Sequence, residues 1–533
     1  MKRENIALVA RARHDPDACR ELGRHYLAGT DGFPRHEQLG LEYLAHADVR
    51  DTSAAAKIIC THLPLERIIA LGHEALLLRA AQDDCAEASF KLGLWLALGS
   101  ASPKAAIQRL AAAASQGHSA ARAAAEELRA AESSERDDIC LASLRKNPSV
   151  RLDAIAAAAA EWAAKRGDLH RLARCVRIAL DSPPESLICV AQHVKAALRN
   201  ATDNNIALAP LCAAQIEPCL NALASDSDME AAYMLGRAYC GIDSPQVAAL
   251  QVVAGTNLRK GVALLLRAAD SGIQEAWLHL HWVHADHRCS VANPQLAKFF
   301  LEKAAVSGDV NAQRRLGALV LRSACSLKES EQAMHLLHTA ALQGDRLASG
   351  LMQTLVLPVC GNQPEADQAI KAIQSADPWL AARLKLSRDF GLTKLEALCV
   401  DPVAGKRSWG LVVGQNPYIE LSKLSAPRAV PAITTTALEN LHCIAMLFET
   451  ARREGDMLEG DYRRRSARQR ALFHRHGIDE ELFFAKVSST TLDSLRTGPK
   501  WALKAKTDLT LALAAGATGQ GGSRYMHQHA PGA

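Results

Sequence analysis

The chain has 533 residues, which is too long for one compact core and indicates two or three domains unless a repeat array carries much of the length. Apolar residues make up 49% of the sequence and aromatic residues only 4%, because much of the apolar content is alanine, the best helix former. The formal net charge of +5 is mild for this length and does not by itself imply nucleic acid. Composition therefore favours an all-α protein and argues against a β-rich one.

The cysteines and the apolar runs bear on where in the cell the protein is located. The 14 cysteines contain no Cys-x2-Cys pair, and we expect most of them to be small buried side chains in a reducing compartment. No apolar run reaches the length of a membrane span, and the N-terminus lacks the apolar core of a signal peptide. The expectation is a soluble cytoplasmic protein without a cofactor. Cysteines expected to be buried include Cys60, Cys175, Cys189 and Cys212.

Residues 1–125 contain two interlocking motifs. The first, Ala-x3-Leu-Gly, occurs at 18–23 and 88–93, and the earlier copy continues to Tyr26 and Gly29. The second, Leu-x2-Ala-Ala-x2-Gly, occurs at 110–117, and a degenerate copy ends at Asp84 in place of the glycine. Ala and Leu four apart lie on one helical face, and a glycine beside the leucine leaves space for a neighbouring helix. The motifs therefore predict paired helices that stack to bury their apolar faces.

Residues 126–226 lack a clean motif but have strong helical character. An alanine-rich helix is predicted over 154–166, containing Trp162 and ending at Gly167. Residues 181–184 read Asp-Ser-Pro-Pro, which predicts a loop, and a helix should follow from Glu185. We interpret this stretch as divergent helical hairpins that continue the repeats; a helical insert between two repeat blocks is the alternative.

Residues 227–378 contain a second block of repeats. Ala-x3-Leu-Gly recurs at 231–236 and 312–317. Three segments, 266–272, 301–308 and 337–344, end in glycines that are 36 residues apart. The glycine after Ala-Ala should end its helix in a left-handed conformation. The prolines at 358 and 364 should end the array, and Pro378 marks a predicted boundary.

The period of 36 residues and the two motifs resemble SEL-one-like repeats, which are relatives of the tetratricopeptide repeat. The resemblance covers residues 14–125 and 227–350. It implies an all-α α-solenoid of antiparallel helix pairs in a right-handed superhelix, whose concave face binds protein segments. It implies no catalytic activity for the repeats themselves.

Residues 379–515 are predicted to form a mostly helical basic domain. The stretch 407–421 is apolar and β-branched around a turn at 414–417, which predicts a small β-hairpin. A helix should start near Thr436. Residues 379–533 contain 22 Lys and Arg against 15 Asp and Glu, and the densest cluster is Arg463–Arg465 with Arg468, Arg470 and Arg475. Residues 516–533, rich in Gly, Gln and His, should be disordered.

Candidate partner-binding residues follow from these patterns. Arginine and histidine residues flank the Leu-Gly motif, where the consensus leaves the side chain free, so they are candidates for a binding groove. The arginine cluster could bind nucleic acid or an acidic partner, but acidic residues just before it also suit pairing and solvation. The candidates are Arg24, His25, Arg237, Arg315, Arg464 and Arg468.

The most metal-like feature is a histidine cluster at residues 279–289. His284 and His287 are three apart and could share a helical face and a zinc ion. The repeat register places His281 on the Leu-Gly glycine and His284 on the tyrosine, which are packing positions. We therefore predict no metal site here.

The function predicted from the sequence is a protein-interaction scaffold or adaptor, not an enzyme, since no nucleophile elbow, Walker loop or zinc-protease motif occurs. Two alternatives stay open. One is a regulator that binds nucleic acid or an acidic partner through the basic C-terminal domain. The other is an enzyme with an unrecognised C-terminal catalytic domain.

Overall fold

The computed structural model describes residues 3–46, 53–99, 103–132, 141–204, 207–244, 247–414, 427–455, 459–496 and 506–514. Contacts divide the chain into two compact units, Met1–Ile273 and Gln274–Ala533. This division falls inside the block 227–378. The motifs group that block together because the period of 36 residues continues across residue 273. The five predicted segments stay a prediction.

The first unit is built of helices over its described length. Its members are α1 (Arg3–Arg11), α2 (Pro16–Ala28), α3 (Glu37–Leu44), α4 (Ser53–His62), α5 (Leu65–Ala70), α6 (Glu74–Gln82), α7 (Ala86–Ala97), α8 (Lys104–Ser115), α9 (Ser119–Glu132), α10 (Ala142–Arg145), α11 (Leu152–Arg166), α12 (Leu169–Leu180), α13 (Pro184–Asn204), α14 (Ala213–Ser225), α15 (Met229–Tyr239), α16 (Ala249–Val252) and α17 (Leu258–Asp270).

Close helix pairing in the first unit explains the Leu-Gly motif. A Cβ added to Gly93 would lie 2.6 Å from Cγ of Leu110, so α7 and α8 meet where a side chain is missing. At Gly236 an added Cβ would lie 3.0 Å from the backbone nitrogen of Leu265 on α17. Leu265 is fully buried and lies 36 residues before Leu301, whereas Leu266 is half-buried. The repeat copy therefore begins at Leu265, one residue before the leucine predicted from the sequence.

The predicted helices of residues 126–226 are present. Helix α11 contains Trp162 and ends at Gly167, which has φ +71°. Helix α13 begins at Pro184, one residue before the predicted start. The apolar residues of these helices join the same core cluster as the N-terminal repeats. This stretch is therefore helical and shares the core of the first unit, and whether it continues the repeats or is an insert between them stays a prediction.

The second unit combines repeats with a small sheet. Its helices are α18 (Glu275–Ala285), α19 (Pro294–Val306), α20 (Val310–Ser323), α21 (Leu327–Leu342), α22 (Arg346–Gln353), α23 (Gln363–Gln374), α24 (Pro378–Asp389), α25 (Lys394–Cys399), α26 (Pro402–Gly405), α27 (Thr435–Glu454), α28 (Tyr462–His476), α29 (Ser489–Arg496) and α30 (Lys506–Ala514), with a 3₁₀ turn at Glu480–Leu482 and strands β1 (Lys406–Arg407), β2 (Gly410–Val413) and β3 (Arg428–Pro431).

Each repeat starts and stops on local signals. Asp309 caps α20 by accepting a hydrogen bond from the backbone N–H of Ala312 at 2.7 Å, and Asp345 caps α22 in the same way. The turn glycines Gly308 and Gly344 have φ of +96° and +90°, as predicted. Asp84 adopts φ +54° in the degenerate copy, since aspartate tolerates the left-handed region better than most residues.

The β-structure differs from the predicted hairpin. Strand β2 is the centre of an antiparallel sheet with the order β1-β2-β3, so β1 and β2 turn at residues 408–409. Leu411 of β2 pairs with Val430 of β3. The predicted turn at 414–417 lies almost wholly outside the described residues, as does the tail 516–533. The helix expected near Thr436 begins at Thr435.

The boundary predicted at Pro378 falls on the first turn of α24, which packs against α23 and shares its core cluster. Proline suits this position because the first turn of a helix needs no N–H from it. A proline thus marks the start of a helix here and not a division between cores.

Buried ion pairs tie the C-terminal elements together. Arg428 on β3 binds both carboxylate oxygens of Glu396 on α25, at 2.9 and 3.1 Å, and both side chains are buried. Burial would raise the pKa of Glu396, but Arg428 lowers it below its ordinary value. Arg383 on α24 holds Glu459 in the same bidentate way, at 2.6 and 2.8 Å. Both acids therefore remain charged inside the core.

None of the described helices is both long and apolar enough to cross a lipid bilayer.

Candidate functional site

A cleft of about 600 Å³ lies in the first unit. Its base is one face of α7, the helix that carries the Ala-x3-Leu-Gly motif at 88–93. Counting Ala88 as position 1, the cleft is lined by positions 3, 4 and 7, which are Phe90, Lys91 and Leu94. These positions share a helical face because they are three and four residues apart. The motif residues Ala88, Leu92 and Gly93 are buried in the repeat packing.

Two other segments form the walls of the cleft. One wall is the connection 61–66 between α4 and α5, and the other is the segment 148–151 that leads into α11. Leu63 and Leu65 on the first wall and Ile155 on α11 are buried apolar side chains. The lining of the cleft therefore combines buried apolar side chains with accessible polar groups.

Lys91 fixes one wall to the base. Its Nζ donates hydrogen bonds to the carbonyl oxygens of Cys60 at 2.6 Å and Leu63 at 3.0 Å, and lies 2.8 Å from a carboxylate oxygen of Glu87. Glu87 also contacts the ring of His118 at 3.2 Å. A buried ammonium needs such partners, so Lys91 has a structural role in shaping the cleft.

A second ion pair closes the other wall. Arg151 is well exposed, and its Nη2 lies 2.9 Å from Oε1 of the nearly buried Glu66. The pair joins the segment before α11 to helix α5. Lys91 and Arg151 are each paired with a carboxylate. Neither is therefore an unpaired cation that a charged ligand would contact.

The remaining charge at the cleft is positive. Arg35 is an exposed lining residue, and among the described residues it has no acidic partner within ion-pair distance; the same holds for exposed Arg24. Burial lowers the pKa of His62, and the nearby charges of Arg24, Lys91 and Arg35 lower it further. His62 is therefore neutral at pH 7. Three cations line the cleft, Arg35, Lys91 and Arg151, together with two carboxylates, Glu66 and Glu87.

The corresponding face in the second unit is covered by the chain itself. Counting Ala312 as position 1 of the motif in α20, positions 3 and 7 are Arg314 and Ala318. Nε of Arg314 donates a hydrogen bond to the carbonyl oxygen of Ala512 in α30, at 2.9 Å. Leu509 and Ala512 of α30 are buried in one cluster with Ala318. A short helical segment thus packs on positions 3 and 7 of a motif helix, the positions that line the cleft in α7.

The repeat candidates from the sequence share this register. Arg24 and Arg237 occupy position 7 of their motif copies, and Arg315 occupies position 4. Arg24 is exposed beside His62. Arg237 is half-buried, lies 5.7 Å from the ring centre of Tyr233 and lines a cavity of only about 30 Å³. Arg315 is 8% exposed, and burial lowers its pKa to about 10, so its surface role in the groove is not supported.

His25 is also not a groove residue. It is 4% exposed, its Nδ1 lies 2.9 Å from the hydroxyl of Thr30, and its ring stacks on Phe33. Position 8 of the motif points into the core, because it follows position 4 and the buried leucine at position 5 by one helical turn. His25 therefore holds the turn after α2.

The arginine cluster is divided by the C-terminal core. Arg464 is exposed on α28, where Arg463, Arg470 and Arg475 are also exposed. Arg468 is half-buried: its Nη2 donates to the carbonyl oxygen of Glu459 at 2.5 Å, and its Nε lies 3.6 Å from Asp377. The cluster is thus partly structural, and Arg464 is the candidate of the two that a partner could reach.

The histidine cluster has packing roles. Nδ1 of His281 lies 2.9 Å from the carbonyl oxygen of Ala297, and burial lowers the pKa of this ring. Nδ1 of His284 lies 2.8 Å from the carbonyl oxygen of Val291, and its ring contacts Phe300. Across the described residues, no three His, Cys, Asp or Glu side chains are grouped to hold a metal ion.

The cysteines are mixed in exposure. Cys60 and Cys175 are buried as predicted, and burial raises the pKa of each thiol to about 12. Cys189 and Cys212 are exposed, so the prediction was wrong for these two. Cys189 lies on the exposed face of α13, and Cys212 immediately precedes α14. The sequence pattern alone did not distinguish the exposed face of these helices from the buried face.

Most cleft residues were not found from the sequence. Lys91 and Leu94 could have been found by extending the spacing of Arg315 and Arg24 to the copy at 88–93. Arg35 and Arg151 carry no motif, and only the fold brings them to α7.

The fold is similar to that of solved repeat proteins. One is a protective antigen of uropathogenic Escherichia coli strains that displays an SLR fold, at 15% identity and TM-score 0.26, covering 64% of this chain and 65% of that one. Another is a Sel1 repeat protein from Oxalobacter formigenes, at 19% identity and TM-score 0.25, covering 66% of this chain and 90% of that one. This chain thus spans about two thirds of the length of the first.

No protein-family model and no curated protein matches the sequence. At these identities and TM-scores the solved structures carry no argument about partners or activity. The helical repeat interpretation rests on the motif packing of the chain itself.

Proposed function

We propose that the chain is a protein-binding scaffold and that the cleft on α7 receives a segment of a partner protein. A single observation carries this proposal. Positions 3 and 7 of the motif helix line a cleft in the first unit, while the same positions in α20 pack against a helical segment of the chain. The contact between α20 and α30 is an example of the binding that we assign to α7.

The chemistry of the cleft supports binding over catalysis. Its lysine is held by two carbonyl oxygens and a carboxylate, and its histidine is surrounded by cations, so neither is paired with a nucleophile. Exposed polar groups of the lining, such as Arg35 and Ser149, can set the orientation of a bound segment.

Site-specific photo-crosslinking tests the proposal. Thr61 lies on one wall of the cleft and Ser149 on the other, and both residues are exposed. A photoreactive amino acid at either position should crosslink the partner protein in lysate of the source cells. The same amino acid at exposed Gln116, which does not line the cleft, is the control. The proposal requires one protein crosslinked from both wall positions and not from the control. Equal crosslinking from all three positions, or none from the wall, would contradict it.

A further inference from the structure

Helix α30 buries little of its own surface. It packs against α20 and α22 and has nine residues, of which Leu509 and Ala512 are buried and Leu513 is half-buried. Leu511, on the other face, is 48% exposed. A separate helix of this length is marginal in water, so these few side chains have to offset most of the entropy cost of ordering it. We therefore expect α30 to leave its site more readily than the repeat helices leave theirs.

Arg314 on α20 holds the carboxyl end of α30. Its Nε donates a hydrogen bond to the carbonyl oxygen of Ala512 at 2.9 Å. Because α30 ends at Ala514, no later amide of the helix can donate to this carbonyl. A cation at this position also matches the negative end of the helix dipole. Arg314 thus recognises the end of a helix through its backbone and does not require a particular side chain there.

The surface under α30 is built by the repeats themselves. Nη1 of Arg314 donates to Oδ1 of Asn311 at 3.1 Å and also contacts the carboxylate of Asp345, so the repeats hold this arginine in place. Helices α20 and α22 both pack against α21, which fixes their separation. We call the surface that α30 covers, including Arg314 and Ala318, the α20–α22 groove. The groove is expected to keep its shape when α30 detaches.

We propose that α30 is a displaceable internal ligand of the α20–α22 groove, and that a partner protein binds there with an amphipathic helix that replaces it. The partner helix carries the apolar pattern of α30, Leu-x2-Ala-Leu, and ends beside Arg314. This site belongs to the second unit and does not depend on the cleft on α7. A failure of crosslinking from the cleft walls would leave it standing.

A helix fits the groove better than an extended segment. Leu509, Ala512 and Leu513 are three and four residues apart, so a helix places them on one face. In an extended segment, residues 509 and 512 would point to opposite sides. The hydrogen bond of Arg314 also uses a carbonyl oxygen that becomes available at the end of a helix. The groove therefore selects the helix-in-groove mode of recognition.

Peptide binding to the full chain tests this inference. The probe is a fluorescein-labelled, amidated peptide with the sequence of residues 506–514, followed by fluorescence anisotropy. Leu509→Asp should undock α30, whereas Leu511→Asp is the matched control because it changes an exposed leucine of the same helix. L509D should bind the probe at least about tenfold more tightly than L511D or the unsubstituted protein, since a groove that is filled about nine-tenths of the time loses that factor in apparent affinity. The same peptide carrying L509D should not bind.

Arg314→Lys in the L509D chain tests the recognition of the helix end. Lysine keeps a positive charge beside Asp345 but lacks the planar set of donors that arginine offers. Binding of the probe should weaken on the order of tenfold, because a hydrogen bond from a charged donor is lost.

Hydrogen exchange of the unsubstituted chain gives a measurement that needs no variant. Amides of α30 should exchange faster than those of α20 and α22, since detachment of a short helix leaves the repeats folded. Protection of α30 equal to that of α20, or equal affinity of L509D and L511D for the probe, would overturn the inference.

Two further outcomes would also overturn it. If circular dichroism shows that L509D loses helix beyond α30, this helix is a structural part of the core and not a ligand. If sedimentation shows a dimer of the unsubstituted chain that L509D dissociates, α30 joins two copies of the chain and the groove serves self-association.

Discussion

The glycine of the Leu-Gly motif allows a sharp test of repeat packing. Gly236 on α15 faces α17, and an added Cβ would lie 3.0 Å from Cβ of Leu264, 3.0 Å from the backbone nitrogen of Leu265 and 3.1 Å from the carbonyl oxygen of Gly261. Two of these atoms belong to the backbone of α17, so no side chain can rotate away to make room. Gly236→Ala therefore has to push the two helices apart.

The expected magnitude combines two opposing effects. Overpacking of a well-filled helix contact costs about 1–3 kcal/mol. Alanine recovers up to about 1 kcal/mol over glycine in a helix interior. The net expectation is a loss of about 1–2 kcal/mol in the free energy of unfolding of the first unit.

Gly255 provides the matched control in the same unit. It lies between α16 and α17 with no atom within 4 Å of an added Cβ, and its φ is not in the left-handed region. Gly255→Ala should be neutral or stabilising by up to about 1 kcal/mol, because alanine reduces the entropy of the unfolded chain.

Urea denaturation followed by circular dichroism measures the change in stability, and hydrogen exchange localises it. In Gly236→Ala, amides of α15 and α17 should exchange faster than in the unsubstituted protein. If G236A proves as stable as G255A, with unchanged protection of both helices, the close approach of α15 and α17 is not the reason for glycine at this position.

Three further predictions concern charge and docking. Arg428→Ala should lower the free energy of unfolding by about 3–5 kcal/mol in urea titration, because Glu396 is left charged and buried. If a variant with apolar residues in place of both Arg428 and Glu396 is equally unstable, this reason is wrong. Leu509→Asp should detach α30 and speed the hydrogen exchange of its amides. Helix α20 should stay protected from exchange, since Arg314 keeps its contact with Asp345 at 2.5 Å. An equal loss of protection in α20 would refute this. Lowering the pH from about 7.5 to 5.5 should lower the melting temperature of the first unit, and His62→Gln should reduce the change. An unchanged pH profile would count against a half-buried, neutral His62.

The sign of the pH effect follows from the direction of the pKa shift. Burial lowers the pKa of His62 in the folded chain, so the unfolded chain binds the proton more readily. The penalty is absent above the ordinary pKa of about 6.5. It grows as the pH falls below that value and stops growing below the pKa of the folded form. His193, whose pKa burial also lowers, adds to the effect with the same sign.

The local sequence determined the helices and the way the repeats pair. Ala-Ala followed by glycine, an aspartate cap and the Leu-Gly dipeptide act over a few residues, so their spacing alone predicts the turn at Gly308 and the contact of Gly93 with α8. Helices without the motif, such as α11, were also predicted, because alanine content and the terminal Gly167 are local signals.

The tertiary structure decided which side chains can meet a partner. Arg24 and Arg237 both occupy position 7 of the motif, yet the first is exposed and the second is half-buried, since exposure depends on the neighbouring segments that cover a motif helix. The cleft joins residues 35, 61–66, 87–94 and 148–155, which are too far apart in the chain for any motif to connect. The strand order β1-β2-β3 and the docking of α30 on α20 are also long-range contacts, and periodicity does not encode them.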